Sequence, residues 1–136
     1  MAEPKPGSTD ILAQIAFDRD GLVPAIAQAH DSGEVLMLAW MNRDAVAETL
    51  ASGRVCYWSR SRGRLWRKGE SSGQVQRLKE MRLDCDGDTL LLLVEQDGPA
   101  CHTGRRSCMF NAVREGRIAE AWPVLIPPEK LYGKDG

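Results

Sequence analysis

The sequence predicts a sheet-rich α+β domain with a strongly twisted or barrel-like β core and one clear helix. Three observations lead there. Runs of branched and aromatic residues recur along the chain, broken by glycine-containing turns. A single segment carries both a helix start and a helix stop signal. At 136 residues, 43% hydrophobic and 27% charged, the chain is sized and composed for one soluble globular domain with one core.

The elements follow in order. Residues 1 to about 8, within "MAEPKPGSTD", read as a flexible tail. Asp10 to Phe17 fits either a short helix capped by Thr9 or Asp10 or a strand leading into "GLVP". "LVPAIAQA" and "VLMLAWM", joined by the polar "HDSGE", form a hairpin pattern. Asn42 caps "RDAVAETLASG", where Val46 and Leu50 lie four apart and Gly53 ends the helix. "RVCYWSR", "GRLWRKG", "QVQRLKEMRLDCD" and "DTLLLLVEQDG" then read as strands separated by turns. The closing "PPEKLYGKDG", from about residue 129 to 136, reads as a second poorly ordered extension.

A net charge of −1 argues against a general polyanion binder, so any basic function is local. No secretory signal and no membrane-spanning apolar run is visible, and a cytoplasmic location is expected. In a reducing compartment Cys56, Cys85, Cys101 and Cys108 serve as core filling, metal ligands or catalytic groups rather than as disulfides.

Residues 84–108 concentrate four aspartates, three cysteines and one histidine. The spacings Cys85–Cys101 and Cys101–Cys108, 16 and 7 residues, are not those of common structural zinc modules. Cys85 is nevertheless flanked by aspartates, and Cys101-His102 lies in a turn-forming stretch between "GP" and "TG", which presents a side chain well and hides one poorly. Three thiolates on zinc leave the fourth tetrahedral position for a water whose pKa falls to about 7. His102 is then either a fourth ligand or the acid–base group acting on that water.

Asp84, Asp86 and Asp88, at a period of two, would share one face of an extended segment with Cys85 on the other, a natural set of oxygen ligands for Mg²⁺. An EF-hand is excluded: Thr89 stands where that loop needs glycine, and "TLLLLVE" is strand-like. Upstream, Arg54, Arg60, Arg62, Arg64, Arg67 and Lys68 occur without an intervening acid, interleaved with Tyr57, Trp58 and Trp66. They suit phosphate clamping and ring stacking, or the wet face of amphipathic strands with the aromatics in the core. "KGESSG" adds a glycine-bounded loop able to wrap phosphate oxygens.

"LMLAWMN", "YWSRSRGRLWRKGESSG", "LDCDGDTLLLLVEQ" and "ACHTGRRSC", in this order from about Leu22 to Phe110, closely resemble the phosphoribosyl-AMP cyclohydrolase family of histidine biosynthesis. The resemblance implies a Zn²⁺- and Mg²⁺-dependent hydrolase that opens the N1–C6 bond of the adenine ring of phosphoribosyl-AMP. It implies zinc on Cys85, Cys101 and Cys108 and magnesium on Asp84, Asp86 and Asp88. It further implies an intertwined homodimer whose zinc site is shared, Cys85 of one chain joining Cys101 and Cys108 of the other. The pyrophosphohydrolase domain of bifunctional relatives is expected to be absent. Gln74 departs from the "SGH" common in the family, which leaves His102 as the imidazole expected to move the proton. Substrate binding is expected from Trp58, Ser59, Arg60, Arg62, Lys68, Glu70, Ser71 and Gly73, with the arginines and Lys68 on phosphate and Trp58 on the ring.

Two other activities compete. A zinc deaminase uses similar water activation, but its H-x-E…P-C-x-x-C signature is missing. A zinc-stabilised nucleic-acid-binding module would put the arginines on phosphates, yet the near-zero net charge and the acidic cluster disfavour it. The expected partners are therefore a small-molecule substrate and a second copy of the chain, with neither nucleic acid nor membrane.

Overall fold

A short helix, α1 (Asp10–Gln14), precedes the strand at the centre of the molecule, β1 (Leu22–Ala29), so the helical reading of the first segment holds. The structure is a computed structural model and describes residues 10–132. The tail predicted for residues 1–8 lies outside the described residues. Along β1, Val23, Ala25, Ala27 and Ala29 are buried, with half-buried residues between them, as expected for a strand with neighbours on both sides. One neighbour is β2 (Val35–Asn42), antiparallel through the predicted hairpin.

Helix α2 (Arg43–Ser52) follows β2 at once, because its ends satisfy their own orphan backbone groups. Asn42 Oδ1 accepts the Ala45 N–H at 2.8 Å. Gly53, in the left-handed region at φ 77°, donates its N–H to the Thr49 carbonyl at 2.9 Å. The helix packs Ala45, Val46 and Thr49 inward, and Thr49 Oγ1 accepts the Cys56 N–H at 2.9 Å, so α2 sets the start of the next strand.

That strand, β3 (Cys56–Ser59), pairs antiparallel with both β2 and β4 (Arg64–Arg67). The next two, β5 (Gln76–Leu83) and β6 (Leu90–Gln96), form another antiparallel pair. β6 lies parallel to β1, giving the sheet order β4-β3-β2-β1-β6-β5. A parallel pair needs a long crossover, and here everything from β2 to β5 supplies it.

The sheet curls strongly into a half-barrel, as the sequence predicts. The two sides meet where the Val55 N–H donates to Gln76 O at 3.0 Å and the Leu78 N–H to Gly53 O at 2.8 Å. Leu36, Tyr57, Leu90, Leu92 and Val94 are fully buried inside the curl, and each such side chain contributes roughly 1.5–3 kcal/mol by leaving water.

Two elements differ from expectation. The first is a separate hairpin of β7 (Asn111–Arg114) and β8 (Arg117–Glu120), turning at Glu115 (φ 53°) and Gly116 (φ 75°). Both turn residues are left-handed, which is the geometry that closes a two-residue hairpin. The second is α3 (Pro128–Tyr132), within the stretch predicted to be poorly ordered. Pro128 pre-sets a helical φ, and Leu131 is buried, which anchors the turn. Residues 133–136 lie outside the described residues. Among the described residues no helix is long and apolar enough to cross a membrane.

Candidate active site

β4 determines which side chains meet. Its alternation sends Arg64 and Trp66 to one face and Arg67 to the other, where Arg67 holds Glu48 through two contacts of 2.7 and 2.8 Å. Arg64 and Trp66 line a cleft of about 620 Å³ between the β3–β4 hairpin, the 69–72 loop and the Cys101 loop. Six of the predicted site residues line it: Ser59, Arg62, Lys68, Glu70, Ser71 and His102. The loop wraps tightly because Gly69 has φ 85°, and a Cβ there would lie 2.6 Å from the Gln74 carbonyl carbon.

Three predicted substrate residues lie elsewhere. Trp58 is paired with Trp40 on the adjacent strand, and the Arg60 guanidinium sits 4.6 Å above the Trp40 ring, so neither lines this cleft. Gly73 lines a second cleft, with Glu48 and Arg67. The indole of the main cleft is that of Trp66. Strand alternation from Arg64 carries the signal for it, since residues two apart on a strand share a face. Gln74 is turned away toward Gly98, where a Cβ would meet its Oε1 at 1.6 Å, and it donates from Nε2 to Ser72 O at 3.3 Å.

Behind the cleft lie the thiols. Cys101 is buried in a loop closed by Cys101 N–H to Arg105 O at 3.1 Å and Gly104 N–H to Cys101 O at 2.9 Å. Thr103 Oγ1 donates to Cys101 Sγ at 3.0 Å. The Cys108 N–H donates to Leu36 O at 2.7 Å, and the neighbouring Ser107 Oγ donates to Val35 O at 2.7 Å, so β2 fixes the second thiol. The two thiols are neighbours. Burial first, then Cys101, pushes the Cys108 thiol up to about 12. A thiol raised in this way gives up its proton to a cation that binds at the sulfur, which is how zinc ligands behave.

Below them Tyr57 Oη donates to Gln76 Oε1 at 2.7 Å, and Gln76 Nε2 donates to Gln96 Oε1 at 2.8 Å. Gln96 then holds the Asp97 and Gln74 carbonyls at 2.9 and 3.1 Å. The floor of the site is thus tied by hydrogen bonds to the loop ends around it.

Cys85 is not with the other two. It is exposed in the β5–β6 turn, and among the described residues no group of three potential ligands includes Cys101 or Cys108. Asp84, Asp86 and Asp88 do come together, with ligand oxygens all within 4.8 Å of one another. They do so in a turn rather than on one face of an extended strand, which corrects the geometry drawn from their period of two. Gly87, at φ 74°, lets the chain reverse, the Asp88 N–H donates to Asp84 Oδ1 at 2.9 Å, and the Asp84 N–H donates to Thr89 O at 3.0 Å.

The charges are unequal. Contact with the Asp84 carboxyl first, then with Asp86, pushes Asp88 up to about 6. Asp84 is held below the usual range: partial desolvation works against this, but hydrogen bonds from Asp88 and the Asp88 and Thr89 amides outweigh it. Three converging carboxylates with one driven toward protonation suit a hard dication.

A curled sheet bearing a cleft with an indole, guanidinium groups, hydroxyls and an accessible imidazole, backed by a pair of neighbouring thiols, defines a small α+β hydrolytic enzyme. The family model for phosphoribosyl-AMP cyclohydrolase matches residues 37–110. The chain is 68% identical over 124 residues to the phosphoribosyl-AMP cyclohydrolase of Rhodospirillum centenum, covering 91% of this chain and 93% of that one. It is 67% identical to that of Halorhodospira halophila (90% and 87% covered) and 65% identical to that of Paramagnetospirillum magneticum (93% and 96%). The chain belongs to the phosphoribosyl-AMP cyclohydrolase family.

Proposed function

We propose that this protein hydrolyses the N1–C6 bond of the adenine ring of 1-(5-phosphoribosyl)-AMP to the formimino-aminoimidazole carboxamide ribonucleotide, a step of histidine biosynthesis. Family membership supports the reaction. The observation that carries the assignment of roles is the meeting of Trp66, Arg62, Arg64 and His102 in one cleft against the Cys101–Cys108 pair.

Attack at an amidine-like carbon needs a deprotonated water and a proton for the departing nitrogen. His102, exposed on the Cys101 loop at the cleft, takes the proton from the water and returns it to N1. Trp66 offers a face to the purine, in the place first given to Trp58, and the exposed Arg62 and Arg64 offer planar forks to phosphate. Ser59, Ser71 and Glu70 supply hydrogen bonds to ribose hydroxyls.

Cys101 and Cys108 would hold zinc, with Cys85 from a second copy of the chain, and Asp84, Asp86 and Asp88 would hold magnesium. Bound zinc supplies Lewis acidity that makes a water nucleophilic near neutral pH. A homodimer is supported by the separation of Cys85 from the other thiols and by exposed Val113 and Ile118, which face each other across the β7–β8 hairpin.

The test is His102→Ala, assayed for zinc content and for ring opening of phosphoribosyl-AMP. The expected outcome is stoichiometric zinc with turnover reduced about 10²- to 10⁴-fold. Loss of zinc would make His102 a ligand instead. A parent protein supplied with both metals that leaves the adenine ring intact would overturn the reaction itself.

A further inference from the structure

Lys68 is at odds with its sequence context. It closes a run of exposed arginines, yet it is 7% exposed. Its Nζ donates to the Ala100 carbonyl at 2.7 Å, immediately before Cys101, and lies 5.7 Å from the centre of the Trp66 ring. Burial lowers its proton affinity, and the charges of Cys108 and then Cys101 oppose that. A buried ammonium persists only where something repays its lost hydration. One carbonyl is a weak return.

The thiols explain the rest. Three thiolates around a dication leave one net negative charge in a low-dielectric pocket, and a single buried cation bonded to the residue before Cys101 offsets it. We propose that Lys68 is a positioning residue for the Cys101–Cys108 pair. Its ammonium holds the Ala100 carbonyl, and with it the loop that presents Cys101, and it supplies the charge that balances a zinc–thiolate cluster. This rests on the zinc reading above and moves Lys68 away from the phosphate role expected from the sequence. The exposed Arg62 and Arg64 keep that role.

The experiment is zinc affinity of the full chain by competition with a chromophoric chelator, for parent, Lys68→Met and Lys68→Arg, with zinc-free thermal melting and kcat and KM on the same samples. Lys68→Met is expected to weaken zinc at least about tenfold, ~1.4 kcal/mol. It should melt no lower than parent without zinc, since an apolar side chain there removes a desolvation cost. The expected kinetic signature at limiting zinc is a fall in kcat at unchanged KM. Lys68→Arg, which keeps charge and donor, is expected to recover most of the zinc affinity.

A Lys68→Met protein that holds zinc as tightly as parent overturns the proposal, and a rise in KM alone would return Lys68 to the substrate phosphate. Should that variant fail to fold, Lys68→Gln, which keeps a donor and drops the charge, is read by the same criterion. A parent that takes up no zinc, with Cys101→Ser no different, overturns the zinc reading as well. A parent that binds zinc beside an equally tight Lys68→Met variant overturns only the role of Lys68.

Discussion

Cys56 and Cys101 are almost equally buried, and what surrounds each thiol separates their chemistry. Cys56 has no second thiol beside it. Its Sγ faces the Tyr57 carbonyl at 3.7 Å, and burial first, then the charge of Glu48, pushes it up to about 11. The folded value lies above the unfolded one, so the unfolded chain loses this proton first as pH rises. The contribution of Cys56 to stability is therefore complete below about 8.5, the unfolded thiol value, and is lost on the way to pH 11. Urea midpoints are expected to fall more steeply over that range for the parent than for Cys56→Ala. Equal slopes would mean that the thiol is not buried as described. The core position of Cys56 was legible from its flanks, since "RVCYW" is strand-like, whereas the burial of Cys101 in the turn-forming "ACHTG" was not. Alternation puts Trp66 on the face of Arg64, but that this face rather than that of Trp58 meets the cleft was not legible, because it depends on hairpin register and sheet curl.

Two elements carry the local determinants. In α2 both caps were readable from residue type alone, and Asn42→Ala, which leaves the Ala45 N–H without its 2.8 Å acceptor, is expected to cost about 1 kcal/mol in chemical denaturation. The Asp84–Asp88 turn makes an opposite pair of predictions. Without magnesium, Asp88→Asn removes the carboxylate crowded by Asp84 and Asp86, and its melting temperature is expected to equal or exceed that of the parent. With magnesium the parent gains stability and the variant does not. A variant that still gains as the parent does would show that the turn is not the magnesium site. The β7–β8 hairpin went unread because its strands bury little, with Val113 and Ile118 exposed, so no inward-facing pattern announces it. Glu115-Gly116 was its one local signal.

At the scale of the whole molecule, the curl of the sheet brings the β3–β4 cleft and the Cys101 loop together and leaves Cys85 at an exposed turn. A shared site makes a sharp prediction. Cys85→Ser and Cys101→Ser are each expected to be inactive alone. Unfolded together and refolded, they form a mixed dimer in which one of the two sites has all three thiols, restoring about a quarter of parental activity if subunits pair at random. No restoration on mixing would place all three thiols within one chain.

The sequence by itself determined what is local: alternating runs that make strands, a cap and a glycine that bound α2, and the residue types able to hold metals and move a proton. Periodicity and capping act over a few residues, so they survive without knowledge of the fold. Tertiary structure alone decided which of these groups meet. Trp66 rather than Trp58 enters the cleft, Lys68 turns inward to the Ala100 carbonyl, and the aspartates converge through a turn. Each depends on hairpin register, sheet curvature or loop closure between residues distant in the chain, and linear spacing contains no record of those.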